Sequence, residues 1–386
     1  MDGRVLVLGR GRSGRAAEAL LASLGVETVS LEGDEPMPDG EFSRAVVSPG
    51  VPLSHPWAAE CRARGIPLTS ELQLGVEECR RRGMRLLAVT GSKGKSSVVK
   101  AVADALALAG LRAVPCGNYG KPVCEVALEG DARWAVVEVS SFQMETTTLP
   151  SDAFEAAAVL NLQEDHLDRH GSVEAYHALK LRLLSMAKTG LLNAGGEDPR
   201  GLLAGSYFDN DVLRPNGAAA AWLMRAAGLG DAETARAFRE FRPLPHRMNE
   251  VGVFGGVRCI DDSKATSVAA LAAGVSMAGR GVRLVAGGLA KGDDPKSALP
   301  LLTNRVKKVY LIGRCAEVFS AAWSGAVDCE VCGTMERAVE RAMRDAAKGE
   351  TLLLSPGAAS FDQFQSFGQR GDVFAELAKK EGQKRT

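Results

Sequence analysis

Short apolar runs that end in glycine or a polar turn, each followed by a longer amphipathic or alanine-rich stretch, recur along the whole chain. VLVLG (5–9) reads as a buried strand, and SGRAAEALLASLG (13–25) reads as a helix stopped by Gly25. ETVSLE and RAVVSPG repeat the strand signal, and GIPLTSELQLGVEECRRRG follows. A second series starts at MRLLAVTGSKGKSS, with the helix VVKAVADALALAG and the strands WAVVEVSS and AAAVLNL. The polar loop EDHLDRHG then leads into the helix SVEAYHALKLRLLSMAK. Residues 190–215 are rich in Gly and Asp and carry no clear period; GAAAAWLMRAAG and AETARAFREF close the series as helices. After PLPHR, which reads as a hinge, come the strands VRCIDDS, VRLVAGG, KKVYLIG and ETLLLSPG with helices between them. The tail AKKEGQKRT reads as a frayed basic end. Alternating strand and helix predicts an α/β chain of open, mainly parallel sheets with flanking helices, in three domains over 1–84, 85–243 and 244–386.

Composition narrows the class. At 386 residues the chain exceeds one ordinary core. Lys plus Arg and Asp plus Glu both number 47, so charge gives no support for a nucleic-acid or membrane-surface role. MDGRVLVLGRGRSG breaks at Gly9 and reads as neither a signal peptide nor a membrane span; no other run spans a bilayer. Eight scattered cysteines read as reduced thiols in a cytoplasm. Cys329 and Cys332 form one C-x-x-C without the second pair that zinc would need.

The candidate chemistry sits at strand ends. In TGSKGKSS, Gly91, Ser92, Lys93, Gly94, Lys95, Ser96 and Ser97 lie between a strand and a helix N-terminus, where free N–H groups and the helix dipole favour an anion. The usual phosphate-loop pattern wants a glycine where Val89 stands, so this is a variant or a plain glycine-rich turn. Lys95 would face the β- and γ-phosphates and Ser96 would hold Mg²⁺. Gly9, Gly11 and Gly14 fit G-x-G-x-x-G, and Glu32 ends the next strand where a ribose-binding acid sits; a dinucleotide, another nucleotide diphosphate or a bare tight turn all remain open. Glu138, at the end of WAVVE, is a Mg²⁺ ligand candidate or a paired structural acid. His166 and His170 are not a zinc pair, since HLDRH is not H-E-x-x-H; they lie in a polar loop at a strand end, with His166 the functional candidate and a plain surface loop the alternative. Lys180 by pattern alone is a snorkelling lysine on a helix. In the third domain, Lys264, Thr266, Lys291 and Ser360, each of which alone reads equally as a surface residue, would together suit an anionic substrate carrying carboxylates; Asp262 stands in the same CIDDSKATS strand end.

TGSKGKSS, EVSSFQME, NLQEDHLDRH, PHR, DDSKATS and SPGAASFDQF resemble, in order and over nearly the whole chain, the motifs of the ATP-dependent Mur ligases. That resemblance implies a Rossmann-like N-terminal domain, a central P-loop-type ATPase and a Rossmann-like C-terminal domain that close over the substrates and exclude water. The motifs are most similar to the branch that joins D-glutamate to UDP-N-acetylmuramoyl-L-alanine through an acyl phosphate, for peptidoglycan precursors. It implies ATP and two Mg²⁺ sites, with Ser96, Glu138, His166 and a carbamylated Lys180 as metal ligands. Lys95, Glu138, His166, Lys180 and Lys264 would be catalytic. Residues 91–97 with Asn216, Arg247 and Asp262 would bind ATP, and His246 matches the hinge motif. Gly11, Arg12, Ser13, Gly14, Glu32, Ser48, Asn118 and His166 would hold the UDP-sugar. Thr266, Lys291, Ser360, Phe361 and Phe367 would hold D-glutamate. A monomer is expected. Two departures stand out: VLRPNG keeps only Asn216 of a longer family motif, and the segment from Leu192 to Asn216 is short, which implies a lost strand or helix near adenine. Ser267 stands where the family has Asn. An NAD-linked oxidoreductase built on GRGRSG would leave TGSKGKSS unexplained; a non-catalytic relative, or one with another amino-acid acceptor, is the other rival.

Overall fold

The computed structural model describes residues 3–198 and 200–385, in two compact units, Met1–Phe241 and Arg242–Thr386. The first unit holds two sheets. One is built from β1 (Val5–Leu8), β2 (Thr28–Leu31), β3 (Arg44–Val47) and β4 (Leu68–Ser70), all parallel, in the order β2-β1-β3-β4. The other is built from β5 (Arg85–Thr90), β6 (Ala113–Gly117), β7 (Trp134–Glu138), β8 (Ala156–Val159) and β9 (Gly190–Leu192), also parallel, in the order β6-β7-β5-β8-β9. β5, β7 and β8 are covered by helices on both faces, which is why they read as unbroken apolar runs. One cluster of buried side chains runs from Val5, Leu20 and Leu72 to Val123, Val137 and Phe154, so both sheets share a core.

The second unit carries β10 (Asn249–Phe254), β11 (Val257–Asp261), β12 (Val282–Gly287), β13 (Val306–Ile312), β14 (Asp328–Gly333) and β15 (Thr351–Leu354), in the order β10-β11-β15-β12-β13-β14. Only β10 runs antiparallel, as an edge hairpin on β11. The α/β architecture of mainly parallel sheets stands as expected.

Two local expectations change. The tail is not frayed through its length: the helix Phe367–Gln383 runs into it, Ala378 is fully buried, and a Cβ on Gly382 would lie 2.1 Å from Phe254. A basic composition concealed one buried stripe. The helix predicted through 172–188 stops at Leu181 and tightens into a 3₁₀ turn over Arg182–Met186. Between Asn193 and Leu213 the described residues form turns only, pinned by buried Leu203 and Phe208.

Candidate active site

Three groups of predicted residues gather at the carboxyl ends of parallel strands, where open sheets leave room for ligands. The first surrounds the loop after β5. Gly94 caps the helix Lys95–Leu108 at φ 85°, a left-handed conformation that suits glycine. A Cβ there would also lie 2.5 Å from the Asn216 side-chain nitrogen, so Asn216, at the start of the helix Arg214–Ala226, sits directly on the loop. Asn161 stitches the loop from the other side. Its Oδ1 accepts the Lys93 N–H at 2.8 Å and its Nδ2 donates to the Lys93 carbonyl at 3.0 Å. Ser92 Oγ donates to the Gln163 carbonyl and accepts from the Tyr176 hydroxyl at 3.2 Å. Ser96 is half-buried and Ser97 buried in the first helical turn.

Two lysines meet at one acceptor. Lys95 Nζ donates to the Gly91 carbonyl at 2.8 Å, and Lys180 Nζ donates to the same oxygen at 2.9 Å. Lys180 does not snorkel: its residue is 1% exposed, and its amine lies 4.6 Å from the centre of the Tyr176 ring. Burial, then repulsion from Lys95, pulls its pKa down to about 7, which favours the neutral amine over the ammonium relative to an exposed lysine. Glu138, at the end of β7, accepts at Oε1 from the Asn118 Nδ2–H at 2.7 Å; among the described residues its Oε2 is buried without a hydrogen-bond partner. A buried carboxylate oxygen in that condition fits a cation, and magnesium characteristically takes one or two carboxylates with the rest from phosphate and water. The described residues hold no group of three or more His, Cys, Asp or Glu that could hold a metal ion.

The two histidines separate by burial. His170 is packed away, its Nε2 3.0 Å from Ser141 Oγ and its Nδ1 3.4 Å from Glu145, and burial lowers its pKa. His166 stands at φ 54° with a half-exposed side chain, 4.9 Å from the Phe142 ring. Arg169 fixes that turn by a paired contact with Glu145 and a bond to the Val51 carbonyl.

The second group is the turn after β1. Gly9 has φ 90°, and a Cβ on Gly14 would lie 2.0 Å from the Gly9 carbonyl oxygen, so Gly14 is forced by close packing. Ser48 Oγ donates to that same oxygen at 2.6 Å, which ties the end of β3 to the turn. Gly11 faces open space and precedes the helix Arg12–Ser23 without any side-chain cap, leaving Arg12 and Ser13 at an open N-terminus. Glu32 lies beyond β2, its N–H donating to Glu35.

The third group lies in the second unit. His246 Nδ1 is 2.6 Å from Asp261 Oδ2. Asp262 accepts from Ser355 Oγ at 2.8 Å and from the Met248 N–H at 3.2 Å, and burial pushes its pKa up to about 7. Arg247 lies between those two anchors, and its N–H donates to Asn249. Lys264 Nζ stands 3.9 Å over the Phe367 ring, and Lys291 Nζ donates to Thr266 Oγ1 at 3.3 Å. Ser360 is buried, whereas Phe361 is 71% exposed. Sequence reasoning missed Asn161, Tyr176 and the fully buried Arg370, whose hydrogen bonds reach Ser263 and Ala358. No local pattern marks a buried arginine.

A Mur ligase middle domain matches residues 89–203, and a Mur ligase, glutamate ligase domain matches 246–358. The chain is 37% identical to the UDP-N-acetylmuramoylalanine–D-glutamate ligase of Gloeobacter violaceus, over 98% of this chain and 94% of that protein. It is 32% identical to the ligase of the same name from Koribacter versatilis, over 98% and 97%. These alignments run to 423 and 451 positions, so the relatives carry segments absent from these 386 residues. MurC from Thermotoga maritima shares the fold at a TM-score of 0.61 and 14% identity, over 98% of this chain and 100% of that one. MurF from Thermotoga maritima, solved in complex with ADP, shares it at 0.60 and 15%, over 100% and 96%. With both domain models matched in order and identity sustained from end to end, the chain belongs to the Mur ligase family.

Proposed function

We propose that this protein is the ATP-dependent ligase that joins D-glutamate to UDP-N-acetylmuramoyl-L-alanine, releasing ADP and phosphate. The observation that carries the reading is the loop after β5, where Lys95 and Lys180 converge on the Gly91 carbonyl in the field of Glu138's unpartnered oxygen. Such a site would suit a polyphosphate and its cation. The full-length likeness to ligases of that name supplies the substrates.

Loop amides and Lys95 would hold the ATP phosphates, Asn216 would lie near adenine, and Arg247 and Asp262 would also bind ATP. Ser96 and Glu138 would hold one magnesium ion; His166 and Lys180, the latter as its carbamate, would hold a second. Bound there, magnesium supplies positive charge against the phosphates. A depressed amine pKa favours carbamylation, because carbon dioxide reacts with neutral amine. Gly11, Arg12, Ser13, Gly14, Glu32 and Ser48 would receive the uridine diphosphate, and Asn118 and His166 the sugar end. The L-alanine carboxylate attacks the γ-phosphorus and ADP leaves. The D-glutamate amine then adds to the acyl phosphate carbonyl, and collapse expels phosphate. Lys264 would steady the acyl phosphate, while Thr266, Lys291, Ser360, Phe361 and Phe367 hold D-glutamate.

We place the reaction in the cytoplasm and in a single chain. All eight cysteines are free thiols, and no described helix is long and apolar enough to cross a membrane. The test is phosphate release with ATP and Mg²⁺ while each substrate is omitted in turn. Release that requires both the UDP-sugar and D-glutamate is expected. Release with L-glutamate or a diamino acid instead would reassign the acceptor, and no release from folded protein would favour a non-catalytic relative.

A further inference from the structure

Arg370 is fully buried near the start of the helix Phe367–Gln383, and among the described residues it makes no ion pair. Asp362 and Asp261 reach it only as more distant charges, and burial brings its pKa down to about 10. A guanidinium without a contacting carboxylate is expensive to bury, and an apolar side chain of similar volume would be cheaper. Its hydrogen bonds show what the charge is used for. Nε donates to Ser263 Oγ at 3.0 Å, Nη2 to the Ser263 carbonyl at 2.8 Å, and Nη1 to the Ala358 carbonyl at 3.1 Å. Ser263 Oγ in turn donates to the Phe367 carbonyl at 2.8 Å.

These bonds tie together three segments: the turn after β11 that carries Lys264 and Thr266, the loop after β15 that carries Ser360, and the helix start that carries Phe367. A fourth comes within reach, because a Cβ on Gly288, after β12, would lie 3.2 Å from Nη1. That segment leads to Lys291. The planar fork explains why arginine serves here: one rigid group addresses two backbone carbonyls and a hydroxyl at fixed angles. Its neighbour Gly371 leaves the space that the His246–Asp261 pair fills, since a Cβ would lie 2.2 Å from His246 Nδ1.

We propose that Arg370 is a positioning residue for the acidic amino-acid acceptor: it sets the loops that receive D-glutamate and leaves unneutralised positive charge behind them. This rests on the ligase reading above. Acceptor binding should therefore respond to Arg370 more strongly than binding of ATP or the UDP-sugar.

The experiment compares full-length wild type with Arg370→Gln, Arg370→Lys and the milder Ser263→Ala. It measures KM for each of the three substrates, kcat, and amide hydrogen exchange over 262–267 and 356–367 without substrates. Losing one charge-assisted hydrogen bond should raise KM for D-glutamate about tenfold in Arg370→Gln. The other two KM values should stay within about twofold. Arg370→Lys should recover part of the loss because it keeps the charge, and exchange should quicken in both segments. Should neither Arg370 variant fold, Ser263→Ala should show the same split in smaller measure. Parallel rises in all three KM values, or an unchanged D-glutamate KM, would overturn the proposal. Wild type without D-glutamate-dependent turnover would instead defeat the ligase reading and the acceptor role with it; unaltered exchange would then defeat the loop tether too.

Discussion

Replacing Glu71 with Gln should stabilise this protein, and more so at high pH. Glu71 opens the helix Glu71–Arg81 and is 2% exposed. Its Oε1 accepts the Cys124 N–H at 2.7 Å, capping the helix Val123–Glu129, whose own N-cap Pro122 offers no side-chain acceptor. The helices meet closely because a Cβ on Gly75 would lie 2.6 Å from the Cys124 nitrogen. Burial in that contact raises the carboxyl from 4.5 to about 7, against the lowering effect of the amide bonds. A raised carboxyl pKa means that the native state binds the proton more tightly than the unfolded chain. Stability is therefore complete below pH 4.5 and declines as pH rises to about 7, after which the deficit is constant. From those two values the deficit is about 1 kcal/mol at pH 5.5 and about 3 kcal/mol at pH 8.5. Gln keeps the accepting oxygen and cannot ionise. Its absolute effect includes the fit of its amide nitrogen, but the change in that effect with pH isolates the ionisation. Denaturant unfolding of both proteins at pH 5.5 and 8.5 should show the Gln advantage growing by about 2 kcal/mol. A difference independent of pH would refute the buried-acid account, and a growing disadvantage would show that the ionised cap is favourable.

Lys95→Ala should remove phosphate release altogether, and near-normal turnover in that variant would refute the phosphate-loop reading. Lys180→Ala should lose activity that added short-chain carboxylic acids partly restore, since they offer the oxygens of the missing carbamate; full activity without additive would reject the carbamate. Gly14→Ala should raise KM for the UDP-sugar at least about tenfold by forcing the Gly9 carbonyl aside. Its nucleotide binding, followed by ADP titration, should remain, and loss of both together would point to a folding defect.

Much of this site was legible because its signals are local. TGSKGKSS declares itself by a strand before and a helix after, and the positive φ of Gly94 is what its glycine promised. His166 was separable from His170 only as a preference, and burial supplies the reason. Lys180 was misread because its partners lie far away in sequence: the Gly91 carbonyl stands 89 positions earlier, and no helical period announces that a glycine-rich loop will close over an amine. β9 escaped notice because three residues carry no period, and β4 for the same reason. The C-terminal helix was hidden by its exposed lysines, although Phe374 and Ala378 lie one turn apart on its buried side.

The buried ionisable groups divide by what they would gain from a ligand. Glu71 is capped to a helix and gains nothing, so its burden can be removed by mutation. Glu138, Lys180, Asp262 and Arg370 are also buried, and each lies at a strand end or behind a loop that carries a proposed substrate contact. Among the described residues, Glu138 keeps an oxygen unpartnered, and Arg370 keeps a charge without a contacting counter-ion. A chain selected for stability alone would replace such groups with apolar ones. Their retention at one end of each sheet is intelligible if cation, polyphosphate and dicarboxylate supply the missing partners. Ligands that bind only the native state would then return part of the stability that these groups withhold. On this account the substitutions that most stabilise the empty protein at those four positions are the ones that most impair it as a ligase, whereas Glu71→Gln separates the two effects.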